Sequence, residues 1–182
     1  AAKHQKNNME QLLFVTHNAH KSEEVKAIVG NNFEVMNLSE INFFDEIPET
    51  GNTFKENALQ KAKFLHDRLG CNCFADDTGL EVEALGGEPG VLSARYAGEN
   101  HDSQANMELL LKNLSGKENR AARFRTVIAL LIGDELTLMD GIVEGVITHE
   151  RAGDSGFGYD PIFKPNESDV TFAQMSSDDK NK

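Results

Sequence analysis

The polar segment 16–21, Thr-His-Asn-Ala-His-Lys, contains residue types that can hold an anion. It lies between an apolar run of strand type and a stretch with helical spacing, so we expect free backbone N–H groups at the start of a helix. Asn18 adds a side-chain donor and Lys21 adds a positive charge. The segment predicts a phosphate-binding loop, although an ordinary polar loop between a strand and a helix has the same features.

Asp76 and Asp77 are adjacent carboxylates that directly follow a short apolar strand predicted at 73–75. With Thr78 and Gly79 they have the composition of a turn, and we expect the two acidic side chains to point in different directions. A carboxylate at the end of a strand can hold Mg²⁺ or accept a proton from an attacking water. Solvated acids in an ordinary turn are the alternative interpretation.

Glu49 and Glu56 are further acids that could join a metal site. Glu56 has a competing explanation, because residues 53–56 (Thr-Phe-Lys-Glu) have the spacing of a capping box at a helix start. Glu49 is therefore the better ligand candidate. Lys61 falls one turn after Asn57, off the apolar side of the same predicted helix, where it either projects toward phosphates or is an ordinary solvated lysine.

Residues 153–161 form a glycine-rich loop that also carries two aromatic rings and Asp160. The order of its glycines does not match a dinucleotide-binding fingerprint. A ring such as Phe157 can instead stack on a nucleobase, and Asp160 could accept hydrogen bonds from N–H groups on the edge of that base. A tight turn capped by core aromatic residues is the alternative.

Composition limits the classes of function. The chain has 182 residues, and its 30 acidic and 18 basic side chains give a net charge of −12, so a nucleic acid polymer would be repelled. A small anion can still bind where a few cations and a divalent metal reverse the field locally. The longest apolar run, 127–132, is far shorter than the roughly 20 residues that cross a membrane. We expect no membrane partner and a cytoplasmic location.

Hydrophobic spacing and turn residues predict the elements that position these groups. A strand, a helix and a second strand open the chain as a parallel β-α-β unit, and β-rich runs with short turns indicate an antiparallel meander in the second half. The predicted strands are 12–16, 33–38, 73–75, 123–132, 136–139 and 142–149; the predicted helices are 22–30, 54–69 with an apolar stripe down to Leu69, and 103–114. These elements predict a mixed α/β sheet and two lobes with a cleft between them.

Five blocks of sequence together resemble the inosine triphosphate pyrophosphatase family. They are THNAHK (16–21), ETGNTFKENALQKA (49–62), ADDTGLEVEALGGEPGVLSARYAG (75–98), ARFRTVIAL (122–130) and GFGYDPIF (156–163). Several blocks in one order are far more specific than a single motif. The resemblance implies a two-lobed α/β fold with an elongated mixed central sheet flanked by helices, Mg²⁺ dependence and a homodimer. It implies one domain over 9–182, preceded by a polar tail at 1–8.

The same resemblance implies roles for individual residues. Asp77 would be the general base and, with Glu49, a ligand of Mg²⁺. The residues implied to bind substrate are Thr16, His17, Asn18, Lys21 and Lys61 around the phosphates, Thr78 as a further contact, Phe157 stacked on the base, Gly158, Tyr159 and Asp160 around the base, and Lys180. Lys180 matches the closing motif Lys-Asn-x-x-Ser-His-Arg, and the sequence stops at Lys182 before the Ser-His-Arg. We therefore expect the natural chain to continue.

The resemblance implies hydrolysis of non-standard purine nucleoside triphosphates (ITP, dITP and XTP) to the monophosphate and pyrophosphate, which keeps these nucleotides out of DNA and RNA. Water would attack the α-phosphorus and Asp77 would take its proton. Two alternatives stay open. A pyrophosphatase for modified pyrimidine triphosphates would share the phosphate chemistry, and a regulatory module would bind a nucleotide without turnover.

Overall fold

The computed structural model describes residues 10–29 and 33–180. Six strands form one mixed sheet: β1 (Glu10–Phe14), β2 (Phe33–Asn37), β3 (Cys73–Val82), β4 (Ala121–Ile132), β5 (Glu135–Ile147) and β6 (Phe163–Pro165). Their order across the sheet is β2-β1-β3-β4-β5-β6. β1 pairs in parallel with β2 and β3, whereas β3, β4, β5 and β6 pair in antiparallel order. The predicted α/β class and mixed sheet are confirmed.

The described helices are α1 (Ala19–Val29), α2 (Phe54–Leu69), α3 (Ser103–Asn113) and the short α4 (Ser177–Lys180). The first helix begins three residues before the predicted start at 22, because the Asn18 side chain caps its first turn. The predicted helix end at Gly30 and the predicted tail at 1–8 lie outside the described residues. No helix in the described ranges is long and apolar enough to span a membrane.

Helices α1 and α2 cover opposite faces of the sheet. Val25 and Val29 of α1 pack against a cluster that contains Phe14 and Phe74. Helix α2 packs on the other face, where its apolar side joins alternate residues of the strands. The members of that second cluster include Ala58, Ala62, Leu65, Leu13, Val15, Cys73, Ala75 and Val127. The β-α-β opening therefore leads into a sheet whose strands β1 and β3 are covered on both faces.

Helix α2 is capped at both ends. Thr53 Oγ1 accepts a hydrogen bond from the Glu56 backbone N–H at 3.1 Å, whereas Glu56 Oε2 accepts one from Asn52 N–H at 2.7 Å rather than from Thr53. The predicted capping box is thus present in only one of its two bonds. Gly70 ends the helix at φ 62°, a conformation that favours glycine. Leu69 is 47% exposed, so the predicted apolar stripe stops at Leu65.

Two predicted turns are strand in the structure. Asp76 to Gly79 continue β3 and pair with β4, from Asp76 opposite Ile128 to Gly79 opposite Arg125. The predicted break at Asp140 and Gly141 is absent because these residues pair with β4 inside the continuous β5. In both places a long partner strand satisfies the backbone hydrogen bonds, and this outweighs the local turn preference of Asp and Gly.

A separate core lies toward the other end of the sheet. Buried side chains of β3, α3 and the segment after β5 form it, including Leu80, Val82, Met107, Leu110, Tyr159, Ile162, Phe163 and Phe172. Residues from this core and from the α1 cluster line the same cleft, whose volume is about 770 Å³. The sheet therefore places a cavity between two packed regions, as the sequence predicts.

Candidate active site

The cleft lies where β1 ends and β3 continues. β1 pairs with β3 at two positions, Leu13 with Cys73 and Phe14 with Phe74, and β3 then runs on to Val82. The chain passes from β1 to β2 on one side and later enters β3 on the other, with α1 and α2 on opposite faces. This is a topological switch point, the place in an open α/β sheet where ligands bind at the carboxyl ends of strands.

The predicted phosphate loop joins β1 to α1. Thr16 Oγ1 accepts a hydrogen bond from Asn18 N–H at 3.0 Å, and Asn18 Oδ1 accepts one from Lys21 N–H at 3.2 Å. These bonds form a fixed turn at the positive end of the α1 dipole. His17 Nε2 lies 3.1 Å from the Asp45 carbonyl oxygen, and its ring is exposed. Asn18 and Lys21 line the cleft, whereas Thr16 and His17 are not among its lining residues.

Asp76 forms the charged floor of the cleft. Its Oδ2 accepts hydrogen bonds from Lys21 Nζ at 3.0 Å and from Thr78 Oγ1 at 2.8 Å, and the Thr78 hydroxyl lies 2.9 Å from that of Thr126. Burial by itself would raise the pKa of Asp76, but the charges of Lys21 and Lys61 and these hydrogen bonds outweigh it and lower the pKa. Asp76 is therefore a carboxylate. Its other oxygen, Oδ1, is buried and has no hydrogen-bond partner among the described residues.

Asp77 lies on the opposite face of β3, toward α2. Its Oδ2 accepts a hydrogen bond from Asn57 Nδ2 at 3.0 Å. Burial raises the pKa of Asp77 to about 6, the nearby Glu49 also raises it, and Asn57, Lys61 and Lys21 oppose the rise. Lys61 is itself only 8% exposed and its Nζ lies 2.6 Å from Glu49 Oε1. Lys61, Glu49 and Lys21 thus lie close enough to Asp77 to change its pKa. A carboxyl group with a pKa near neutrality suits the role of a general base.

The predicted base-binding ring is Phe157, on the far wall of the cleft. The His20 ring stacks on it with centroids 5.4 Å apart, and Lys180 Nζ lies 4.5 Å from its centroid. Lys180 also binds Glu24 Oε1 at 3.0 Å and Asp160 Oδ2 at 2.7 Å. Burial alone would lower the pKa of Lys180, but the pairing with Asp160 and Glu24 raises it. A cationic Lys180 therefore joins α1 to the base loop.

Two residues of the base loop have structural hydrogen bonds. Asp160 Oδ2 accepts a hydrogen bond from Phe157 N–H at 3.0 Å as well as the one from Lys180. A Cβ atom at Gly156 would lie 2.1 Å from this oxygen, so that position requires glycine. The buried Tyr159 donates its hydroxyl proton to the Ser93 carbonyl oxygen at 2.6 Å. Both interpretations of the loop therefore apply: it is a turn with core aromatic residues, and it also forms part of the cleft wall.

The structure gathers most of the predicted site residues into two groups. The first lines the cleft: Asn18, Lys21, Thr78, Phe157, Gly158, Tyr159, Asp160 and Lys180. The second is the group on the α2 face, where Lys61, Glu49 and Asp77 act on one another electrostatically. Lys21 connects the groups, because its charge acts on Asp77 and Glu49 as well as on its direct partner Asp76. Thr16 stabilises the loop by accepting the hydrogen bond from Asn18 N–H, and the His17 ring contacts the Asp45 carbonyl group instead of the cleft.

Sequence reasoning missed four residues of the site. Asn57 holds Asp77, Thr126 holds Thr78, and His20 and Glu24 reach the base loop from α1. Glu24 follows His20 by four residues, a spacing that places both on one side of a helix. That spacing was a usable signal. Asn57 and Thr126 gave none, because their partners come from distant segments.

A magnesium ion fits the acids that are present. The described residues contain no group of three or more His, Cys, Asp or Glu side chains arranged to hold a metal by themselves. Mg²⁺ commonly binds through one or two carboxylates together with substrate phosphates and water. The pair Asp77 and Glu49, beside two lysines that attract phosphate, is a donor set of that kind, and a cation there would offset the burial of Asp77.

The comparisons with known proteins cover almost the whole chain. The model of the Ham1 family matches residues 12–182. A dITP/XTP pyrophosphatase of Christiangramia forsetii is 49% identical over 94% of this chain and 90% of the relative, and one of Bacillus subtilis is 48% identical over 96% and 90%. The solved structure of the Staphylococcus aureus Ham1 protein covers 95% of this chain and 90% of its own at 40% identity, with a TM-score of 0.85. A HAM1 protein from Coxiella burnetii gives a TM-score of 0.86 at 34% identity over 95% and 90%. This chain belongs to the Ham1 family.

Proposed function

We propose that this protein is a Mg²⁺-dependent nucleoside triphosphate pyrophosphatase that converts dITP, ITP and XTP to the monophosphate and pyrophosphate. The relatives named as dITP/XTP pyrophosphatases support the reaction and the substrates. The observation that carries the proposal is the position of Asp77. A carboxyl group with a pKa of about 6 lies among the charges of Lys21 and Lys61 at the switch point of the sheet.

The proposed nucleotide runs along the cleft. Its base lies at Phe157, and its phosphates pass Lys21 at the start of α1 and reach Lys61 on the α2 face. Lys21 and Lys61 would exchange their present partners, Asp76 and Glu49, for phosphate oxygens. The α1 dipole and the N–H groups of the 16–21 loop add to the attraction. Binding therefore needs no net positive charge on the protein.

Asp77 is the proposed general base. Asn57 Nδ2 fixes one of its oxygens, so the carboxylate is held in one orientation toward a water that attacks the α-phosphorus. A pKa of about 6 leaves Asp77 ionised at pH 7.5 and still basic enough to take a proton. Glu49 and Asp77 would hold Mg²⁺, which would supply positive charge to offset the charge that develops on the phosphates during the reaction.

The base pocket would select a purine with an oxygen at position 6. Lys180 presents an N–H⁺ donor at the Phe157 ring. A donor that faces the amino group of adenine has no acceptor, and such a mismatch costs about 1–3 kcal/mol when buried. We therefore propose Lys180 as a residue that favours inosine and xanthosine nucleotides over adenosine nucleotides. His20 covers part of the same ring and would move when a base enters.

We propose that the protein forms a homodimer and that it acts in the cytoplasm. Strand β5 exposes several large apolar side chains: Leu136, Leu138, Met139, Ile142 and Val143 are 39–49% exposed. Leu136, Leu138 and Ile142 alternate along the strand and so share one face, and an exposed apolar face is typical of a contact surface. Sedimentation analysis of the wild type and of an Ile142→Lys variant tests this assembly, because a dimer through β5 should dissociate in the variant.

The test of the reaction measures pyrophosphate release from dITP, ITP, XTP, UTP and ATP, with and without Mg²⁺. We expect release from the first three only, and only with the metal. The Asp77→Asn variant should lose it, whereas Asp67→Asn, on an exposed part of α2, should keep it. Release from UTP in preference to ITP would favour the pyrimidine alternative. Binding of ITP without release by the wild type would favour the regulatory module.

A further inference from the structure

Asp76 is a charged residue of the cleft floor with a buried hydrogen-bonding atom that no described residue contacts by a hydrogen bond. It is 6% exposed, lines the cleft, and carries two donors on Oδ2 and none on Oδ1 among the described residues. A buried polar atom without a partner destabilises the folded protein, and more so when it is charged. Proteins keep such atoms at sites where a ligand or water completes them.

The chemistry of a carboxylate limits what can complete it. A carboxylate only accepts hydrogen bonds, so phosphate oxygens are repelled and the partner must be a donor or a cation. A metal ion is disfavoured because Lys21 Nζ already lies 3.0 Å from the other oxygen of the same group. A hydroxyl group is the remaining partner that a nucleotide offers between its phosphates and its base.

The position of Asp76 matches that of the sugar. It lies beside Lys21, which the phosphates would reach, and shares the cleft with Phe157, where the base would stack. The relatives are named for both a deoxyribonucleotide and a ribonucleotide, dITP and XTP. The two sugars share only the 3′-hydroxyl as a free hydroxyl, since dITP lacks the 2′-hydroxyl.

We propose that Asp76 accepts a hydrogen bond from the 3′-hydroxyl of the substrate and thereby makes the enzyme selective for nucleotides that carry it. This inference rests on the proposed function and adds a sugar contact to it. Because Oδ1 is buried in the structure, this contact requires a rotation about the Cβ–Cγ bond, which is soft in aspartate. When the phosphates draw Lys21 away from Oδ2, the hydroxyl replaces part of the lost stabilisation of the carboxylate.

The test compares kcat/KM for dITP with that for 2′,3′-dideoxyinosine triphosphate, which lacks the 3′-hydroxyl. For the wild type we expect dITP to be favoured tenfold to a hundredfold, because the analogue leaves the carboxylate unpaired. ITP and dITP should differ by less than about threefold. If the wild type hydrolyses dITP and the dideoxy analogue equally well, the sugar contact does not exist, while the proposed function stands.

Variants assign the selectivity to Asp76. In Asp76→Ala the preference for dITP over the analogue should fall to within about twofold, whatever the loss of overall activity, because each ratio is measured within one protein. Asp76→Asn keeps the shape and one acceptor, and should show an intermediate ratio if the alanine variant does not fold. The matched control is Ile128→Val, since Ile128 lines the same cleft opposite Asp76 and the change removes one methylene and no hydrogen-bonding group. The control should retain the wild-type ratio.

Two further outcomes separate the inference from its rivals. An unchanged ratio in both Asp76 variants, together with a higher Mg²⁺ concentration for half-maximal activity, would make Asp76 a metal ligand and overturn the sugar contact. An unchanged ratio with an unchanged Mg²⁺ requirement would leave Asp76 only its structural bond to Lys21. If the wild type releases no pyrophosphate from dITP, the proposed function itself is wrong and the sugar contact falls with it.

Discussion

Two neighbouring carboxylates of β3, Asp76 and Asp77, show how the two faces of one strand give the same side chain opposite properties. Both residues are largely buried, at 6% and 9% exposure. On the cleft face, Lys21 and Thr78 bind Asp76 directly and its pKa falls. On the α2 face, Asp77 has the neutral Asn57 as its hydrogen-bond donor, and burial raises its pKa to about 6. A direct cationic partner makes the difference.

The difference in pKa suits the two carboxyl groups to different roles. A carboxylate that is already neutralised by a lysine is a weak base and a good fixed acceptor, whereas one that is held ionised at some cost can take a proton. Their separation follows from strand geometry, since successive side chains point to opposite faces. In the proposed binding mode, a nucleotide that crosses the switch point would place its sugar at Asp76 and its α-phosphorus near the water that Asp77 would activate.

The largest expected effect comes from removing the base. Replacing Asp77 by Asn should lower kcat for dITP by about 10² to 10⁴, because a positioned general base typically contributes that factor. The isosteric amide keeps an acceptor for Asn57, so circular dichroism should show an unchanged fold. A variant with normal turnover would show that Asp77 is not the general base, and the proposed contrast with Asp76 would then be wrong.

The two lysines should differ in their effect on stability. Lys21→Met leaves the buried Asp76 without its direct cation, and we expect a loss of about 1–3 kcal/mol in the free energy of unfolding. Lys61→Met leaves Glu49, whose side chain is 38% exposed and can be solvated, so the loss should stay below about 1 kcal/mol. Urea unfolding of both variants measures the contrast. Equal losses would mean that the direct contact of Lys21 with Asp76 contributes no more to stability than the contacts and charge of Lys61.

The pH dependence of catalysis should follow Asp77 and not Asp76. Because burial raises the pKa of Asp77 to about 6 before the metal binds, kcat/KM at subsaturating Mg²⁺ should fall about tenfold per pH unit below that value, as the base becomes protonated. Asp76 has a lowered pKa and should contribute no limb in this range. A profile of kcat/KM for dITP from pH 5 to pH 8 tests this. A flat profile down to pH 5 would show that the base has an ordinary carboxylate pKa.

Sequence reasoning found most of the fold and the components of the site, but not their arrangement. The β-α-β opening and the start and end of α2 follow from local residue types, and the structure confirms them. Residues 76–79 and 140–141 were wrongly assigned to turns because pairing with β4, a distant segment, decides their conformation. The roles of Asn57 and Thr126 also depend on long-range contacts. Local preference predicts an element well where its own residues satisfy its hydrogen bonds.

The smallest effect is the most specific for the contrast between the two acids. A carboxyl group whose pKa is raised by folding stabilises the protein only while it is protonated, and this contribution is lost as the pH rises through about 6. At pH 7.5 the ionised Asp77 is therefore destabilising, and Asp77→Asn should increase the free energy of unfolding by on the order of 1–2 kcal/mol. At pH 4 Asp77 is protonated in the folded protein, and the stability gained by Asp77→Asn should shrink toward zero.

Asp76→Asn should instead destabilise the protein at pH 7.5, because it removes the ion pair with Lys21. Urea unfolding at the two pH values checks both signs, and a destabilised Asp77→Asn at pH 7.5 would mean that Asp77, like Asp76, is held by its charge rather than in spite of it.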